Sequence, residues 1–248
     1  MEKPIYNNRG ESLDYIWQPG SPGHRQKDVL VLLGHEVTGN KDRPVIVDTA
    51  TALQAAGFDT LRFSFSGNGG SGGRFVDSTI SKEVDDLGSI LDAVARDDQQ
   101  VVYIGHSMGA AVGVLKTASD DRIHYLVSLA GMVDTKAFAE TEFGEEVPDK
   151  GLMWEEPDCP LSRAFMDDLC KIVVNVLSQA KSVSVPWLLV HGSADDVVLP
   201  ADSTAVQAAK GDAVTLVTIN GADHSFNDPV HKRLQIRTVV DWLATQLP

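Results

Sequence analysis

Cysteine is scarce: the 248-residue chain has two, Cys159 and Cys170. Two are too few for a disulfide framework, and neither lies in a Cys/His spacing that suits zinc. Both are therefore expected as reduced thiols in a cytoplasmic protein. Positive charge is also short, with 21 Lys and Arg against 35 Asp and Glu, a net charge of −14. Phosphate binding needs clustered Lys and Arg, so nucleic acid is excluded as a partner. No apolar run approaches the ~20 residues of a membrane span. The opening "MEKPIYNNRG" lacks the hydrophobic region of a signal peptide. There is no internal repeat and no low-complexity segment, and no cofactor or metal is implied. What remains is an ordinary globular composition, 43% apolar and 23% charged. At this length the chain buries a substantial core without staples.

The apolar pattern is that of strands alternating with helices. Ile5–Tyr6 and Leu13–Gln18, separated by the turn residues "NNRG", predict an antiparallel hairpin. "VLVLLGH", residues 29–35, is a continuous apolar run, as expected of a strand buried on both faces. A helix is predicted from Pro44 to Ala56, stopping at Gly57. Strand 59–65 and the glycine loop "SGNGGSGG" follow, then a helix over 79–95 marked by Ile80, Val84, Leu87, Leu91 and Val94. A strand at 101–105, a helix from Ser107 and a strand at 123–129 come next. Residues 132–184 then break the rhythm, with no clear strand and one predicted helix, Leu161–Gln179. Alternation resumes with "VPWLLVH", a helix near 202–209, "AVTLVTI" and a last helix through "RLQIRTVVDWLATQL". The expectation is an α/β protein with a mostly parallel sheet of about eight strands and helices on both faces. The core is expected to comprise residues 1–131 and 185–248, with 132–184 as an insertion.

Ligands of open parallel sheets bind beyond the carboxyl ends of the strands. "YIGHSMGAAVG" places Ser107 at such an end, with Gly105 and Gly109 on either side. Ser107 there is either a helix N-cap or a nucleophile lifted out of a tight turn that needs residues without side chains. A serine hydroxyl needs a base, usually a histidine held by a carboxylate. "LLVHGSADDVVLP" supplies Asp195, with Asp196 as a competitor, and "TINGADHSFND" supplies His224. Each follows a predicted strand, in the order Ser, Asp, His. His106 and His191, inside these motifs, are expected to pack or to orient loops. His24, His124 and His231 have no partner pattern.

Taken together, "GHSMGA", "HGSADDVV" and "GADHSF" resemble the motifs of the α/β-hydrolase superfamily. The chain is similar to the branch of serine aminopeptidase-like hydrolases, monoglyceride lipases and cinnamoyl (feruloyl) esterases, from about residue 28 onward. The resemblance implies Ser107 as nucleophile, His224 as base and Asp195 as acid, and the spacing after His191-Gly192 favours Asp195 over Asp196. It implies an oxyanion hole of the Met108 and Val37 amides. The chain departs from the family in "GHEVTGN", where Glu36 replaces a usual glycine; its carboxylate is expected to point away from the oxyanion, bonding a loop amide or base. It departs again at Ser64, Ser66 and Asn68, which replace the family's Asp, Arg and His. The insertion 132–184 falls where the family places a lid. Within it, residues 134–170 hold eleven Asp and Glu and three Lys and Arg, net −8. That charge is either a solvated face or a barrier to anionic substrates. "GLMWEEP" and Phe165-Met166 either line an acyl or aryl pocket or form lid core. The implied activity is cofactor-free hydrolysis of carboxylic esters of small molecules through an acyl-enzyme. The same triad serves amidases, thioesterases and acyltransferases, and a non-catalytic binding protein is the reading from another class.

Overall fold

The computed structural model describes residues 3–247; the first two residues and Pro248 lie outside the described residues. The chain forms β1 (Ile5–Tyr6), β2 (Ser12–Leu13), β3 (Tyr15–Gln18), β4 (Gln26–Gly34), α1 (Pro44–Ala55) and β5 (Phe58–Phe63). It continues through α2 (Ile80–Val94), β6 (Gln100–His106), α3 (Met108–Thr117) and β7 (Tyr125–Leu129). Between β7 and β8 come α4 (Thr135–Phe143), α5 (Arg163–Asp167) and α6 (Leu177–Ala180). The last elements are β8 (Trp187–Gly192), α7 (Ala201–Lys210), β9 (Val214–Ile219) and α8 (Pro229–Gln246).

Seven strands form one sheet in the order β3-β5-β4-β6-β7-β8-β9. β3 runs antiparallel to β5, and the other neighbours are parallel. The period of two along each strand divides the core between the two faces. Leu30, Leu32, Tyr103, Leu126 and Leu189 face α2, α3 and α7. Val31, Leu33, Val102, Ile104, Val127 and Val190 face α1 and α8. Burial on both faces explains why these strands read as continuous apolar runs.

The sheet has seven strands rather than the expected eight or so, because the N-terminal run is divided. β1 and β2 pair only with each other, Ile5 opposite Leu13, in a separate two-stranded sheet. The turn is held by Asn7, whose Oδ1 accepts from the Arg9 and Glu11 amides, and by Gly10 at φ 76°. The second arm of the expected hairpin stops at Asp14, and Tyr15–Gln18 pairs instead with Phe63–Thr60 of β5.

The helix expected over 161–179 is broken into three pieces. α5 ends at Asp167, a wide π turn spans Asp168–Val173, and α6 starts only at Leu177. Tertiary contacts outweigh helix propensity here. The Asp168 carboxylate accepts from Ser81 N and Oγ, and Thr135 Oγ1 donates to the Leu169 carbonyl. Val174, at φ 62°, then turns the chain, and Asn175 Oδ1 accepts from the Leu177 amide to start α6. The β7–β8 segment has its own aromatic cluster: Phe143 lies against Phe138, Trp154 and Phe165 at centroid distances of 5.9, 4.9 and 6.1 Å. Met153 and Phe165 are buried in the core, so they pack rather than line an open surface. No described helix is long and apolar enough to cross a membrane.

Candidate active site

Ser107 occupies the turn between β6 and α3, at φ 54° and ψ −118°. A non-glycine residue in this region costs on the order of 1–3 kcal/mol and persists only when its surroundings impose it. They do so here: the Ser107 amide donates to the Leu129 carbonyl and the Ser107 carbonyl accepts from Met132, tying the turn to the end of β7. The flanking glycines are required by close approach. A Cβ on Gly105 would stand 2.3 Å from the Gly109 carbonyl oxygen, and one on Gly109 would stand 2.5 Å from that of His35. The Ser107 side chain makes no capping hydrogen bond to α3, which removes the N-cap reading.

Asp195 follows β8 and His224 follows β9, at the same edge of the sheet as Ser107. His224 Nδ1 donates to Asp195 Oδ2 at 2.8 Å. Asp195 Oδ1 accepts from the Val197 and Val198 amides, each at 3.0 Å. His191 Nε2 stands 3.2 Å from Asp195 Oδ2 and 2.9 Å from the Val198 carbonyl, with Ser203 Oγ on its other nitrogen. Burial pushes the Asp195 carboxyl up, but the hydrogen bonds with His191 and His224 outweigh it and hold the group far below its usual range. His224 is pushed below its ordinary 6.5, by burial first and by the neighbouring His106, against the opposing bond to Asp195. Asp196 is exposed and has no described contact with His224. Among the described residues there is no hydrogen bond between Ser107 Oγ and His224; the link between the two loops runs through His106, whose Nε2 lies 3.0 Å from the His224 carbonyl oxygen.

The amides of Val37 and Met108 have no hydrogen-bond partner among the described residues, so both are available as donors. The Val37 loop is set by His35, whose Nδ1 donates to the Glu36 carbonyl at 2.7 Å and whose Nε2 accepts from the Phe65 amide at 3.0 Å. Burial pushes His35 down to about 4, so this ring is neutral. The Glu36 carboxylate turns to two basic side chains. Oε2 lies 3.1 Å from His106 Nδ1, and Oε1 makes an ion pair with Arg43 Nε at 3.0 Å.

The glycine loop is held by hydroxyls and one acid. Asp86 Oδ2 accepts from Ser66 N and Oγ, while its Oδ1 accepts from Asn7. Ser71 Oγ donates to the Ser64 carbonyl, and Asn68 Nδ2 donates to Ser78 Oγ. Beside Asp196, a cavity of about 130 Å³ lies between α4 and the loop after β8, lined by Phe138, Val197, Val198 and Leu199. Among the described residues no group of three or more His, Cys, Asp and Glu is arranged to hold a metal. Motif reading did not find two partners, His191 on Asp195 and His106 on Glu36. Both histidines stand inside motifs, and only the folded chain shows what they face.

Residues 47–248 match the prolyl oligopeptidase family. The chain belongs to that family. Its fold is the α/β-hydrolase fold, shared with esterases. Est1E of Butyrivibrio proteoclasticus, solved with ferulic acid bound, superposes with a TM-score of 0.87 at 25% identity over 99% of both chains. An α/β serine hydrolase without a lid from Xanthomonas campestris has a TM-score of 0.69 at 20% identity, covering 97% of this chain and 93% of that one. The mitochondrial palmitoyl-protein thioesterase ABHD10 of Bos taurus is 26% identical over 207 residues, 76% of this chain. The match spans 64% of that relative's length, just under two thirds. These relatives share a serine-hydrolase architecture suited to ester hydrolysis.

Proposed function

We propose that the protein is a serine hydrolase of carboxylic esters. The observation that carries this reading is the Asp195–His224 hydrogen bond, at 2.8 Å, on the sheet edge where Ser107 occupies its strained turn. With Nδ1 donating to Asp195, the neutral His224 ring has Nε2 free as a base. His224 takes the Ser107 proton as Oγ attacks the ester carbonyl. The Val37 and Met108 amides donate to the oxyanion. The tetrahedral intermediate collapses, His224 returns the proton to the leaving alcohol, and an acyl-Ser107 ester remains. Water then attacks with its proton passing to His224, and that proton returns to Ser107 as the acid departs. Asp195 fixes the tautomer and stabilises the transient imidazolium.

Residues 132–184 serve as a lid between the core parts 1–131 and 185–248, and the cavity beside Leu199 accepts a small apolar part of the substrate. The two unbridged thiols suit a reducing compartment such as the cytoplasm. A second reading, thioester hydrolysis by the same residues, is favoured by the likeness to a palmitoyl-protein thioesterase. A fluorophosphonate probe should label the protein at Ser107 and leave Ser107→Ala unlabelled. Rates on matched p-nitrophenyl esters, anilides and thioesters then rank the chemistries. No labelling and no turnover of any of them would overturn the enzyme reading in favour of a binding protein.

A further inference from the structure

His106 is fully buried, and both of its ring nitrogens face acceptors. Nδ1 lies 3.1 Å from the Glu36 carboxylate and Nε2 lies 3.0 Å from the His224 main-chain carbonyl. A neutral imidazole has one N–H and one lone pair, so it satisfies only one of these oxygens. The other would face a lone pair on a ring that is itself fully buried. Two donors are needed, and the imidazolium supplies them. Protonating Glu36 instead would satisfy the geometry only by discarding the ion pair that its Oε1 makes with Arg43 at 3.0 Å. We propose that His106 is a charged positioning residue, an imidazolium paired with Glu36 that holds the main chain of His224 in place.

The charged groups around His106 agree with this assignment. From the loop after β4 come Glu36 and His35, and from the start of α1 comes Arg43; beyond β9 stands His224, and beyond β8 Asp195. Burial opposes charge on His106, yet the Glu36 carboxylate and the His224 carbonyl raise it above its ordinary 6.5. Burial opposes charge on Glu36 as well, and the bond from His106 nevertheless holds it down to about 2. His35 stays neutral, so the cluster holds one imidazolium.

The arrangement has two consequences for the proposed reaction, on which the functional role of His106 rests. The centroids of His106 and His224 are 4.9 Å apart, so the fixed cation opposes protonation of His224 and keeps it a free base at neutral pH. Glu36 adjoins the Val37 amide, where an unpaired carboxylate would oppose a developing oxyanion. Flanked by His106 and Arg43, it leaves that end of the site with net positive charge. The residue that departs from the family thus comes with its own neutralising partner.

The test reads the ring directly. In the full chain labelled with ¹⁵N at histidine, long-range ¹H–¹⁵N spectra at pH 7.5 should show both His106 nitrogens protonated, with His35 and His224 neutral. In Glu36→Gln, His106 should lose one ring proton. The His224 midpoint and the acid limb of kcat/KM should then move upward by a few tenths of a pH unit. kcat should fall on the order of tenfold with little change in KM, as expected of misplacement. Glu36→Asp keeps the charge and should retain the second proton and most of kcat. A neutral His106 in the wild-type protein would overturn the proposal, as would a folded Glu36→Gln with a neutral His106 and unchanged kcat and acid limb. The spectra do not depend on turnover. A doubly protonated His106 in a chain whose Ser107 resists fluorophosphonate would leave the ion pair standing and reject the active-site assignment instead.

Discussion

At the scale of single residues, adjacent carboxylates have different duties because one is buried and bonded and the other is not. Asp195 receives His224, His191 and two amides, whereas Asp196 faces solvent. Asp195→Asn should therefore reduce kcat by about 10⁴-fold, since it favours the wrong histidine tautomer. Asp196→Asn should stay within a few-fold, and steady-state kinetics on one ester compares the two. Ser107→Ala and His224→Ala should each abolish nearly all turnover, and the double variant should be little worse, because in the proposed mechanism the residues act as a unit. The pH dependence follows from His224. Its folded value lies below 6.5, so the ring is deprotonated at neutral pH, as the proposed base must be, and becomes protonated only in acid. The acid limb of kcat/KM should fall below pH 6.5, and a limb at or above 7 would contradict the burial of the base.

At the scale of elements, α2 bears a buried cost. Glu83 is 1% exposed, and neither carboxylate oxygen has a hydrogen-bond partner among the described residues. Burial first, and then Asp86 and Asp168, push it well above its ordinary 4.5. An acid raised on folding is penalised once the pH exceeds its unfolded value, so stability falls as pH rises from about 4.5 toward the folded value. Glu83→Met, apolar and of similar size, should raise stability by roughly 1–3 kcal/mol at pH 8 and by much less at pH 4. Thermal unfolding at the two pH values measures this. The same face of the fold explains the broken helix after Ser162. Asp168 turns toward Ser81 at the start of α2, 87 residues away, and the backbone widens into a π turn to allow it.

At the scale of the whole molecule, the parallel sheet is what assembles the site. β6, β8 and β9 end at one edge, so residues far apart in sequence share one face of solvent. Within the segment between β7 and β8, residues 134–170 carry a net charge of −8 of the chain's −14. If that segment covers the site, neutral esters should be hydrolysed faster than matched anionic ones. The preference should shrink as salt rises, since exposed charges are screened over ~8–10 Å near physiological ionic strength. Equal rates at low salt would assign the acidic surface to solubility alone.

The sequence by itself determined the alternation of strands and helices, the faces of the sheet and the strand ends where Ser107, Asp195 and His224 stand. These are local properties, because apolar periodicity and small residues at turns are written within a few positions of one another. Gly105 and Gly109 were legible for that reason, and the structure adds which carbonyls they admit. Only the tertiary structure decided that β1 and β2 leave the sheet at seven strands, that residues 161–179 are not one helix, and that Glu36 faces His106. Each depends on partners distant in the chain. The Glu36–His106 and His106–His224 contacts join residues 70 and 118 positions apart. A buried ring takes its charge from the oxygens that surround it, and those oxygens are brought together only when the sheet has formed.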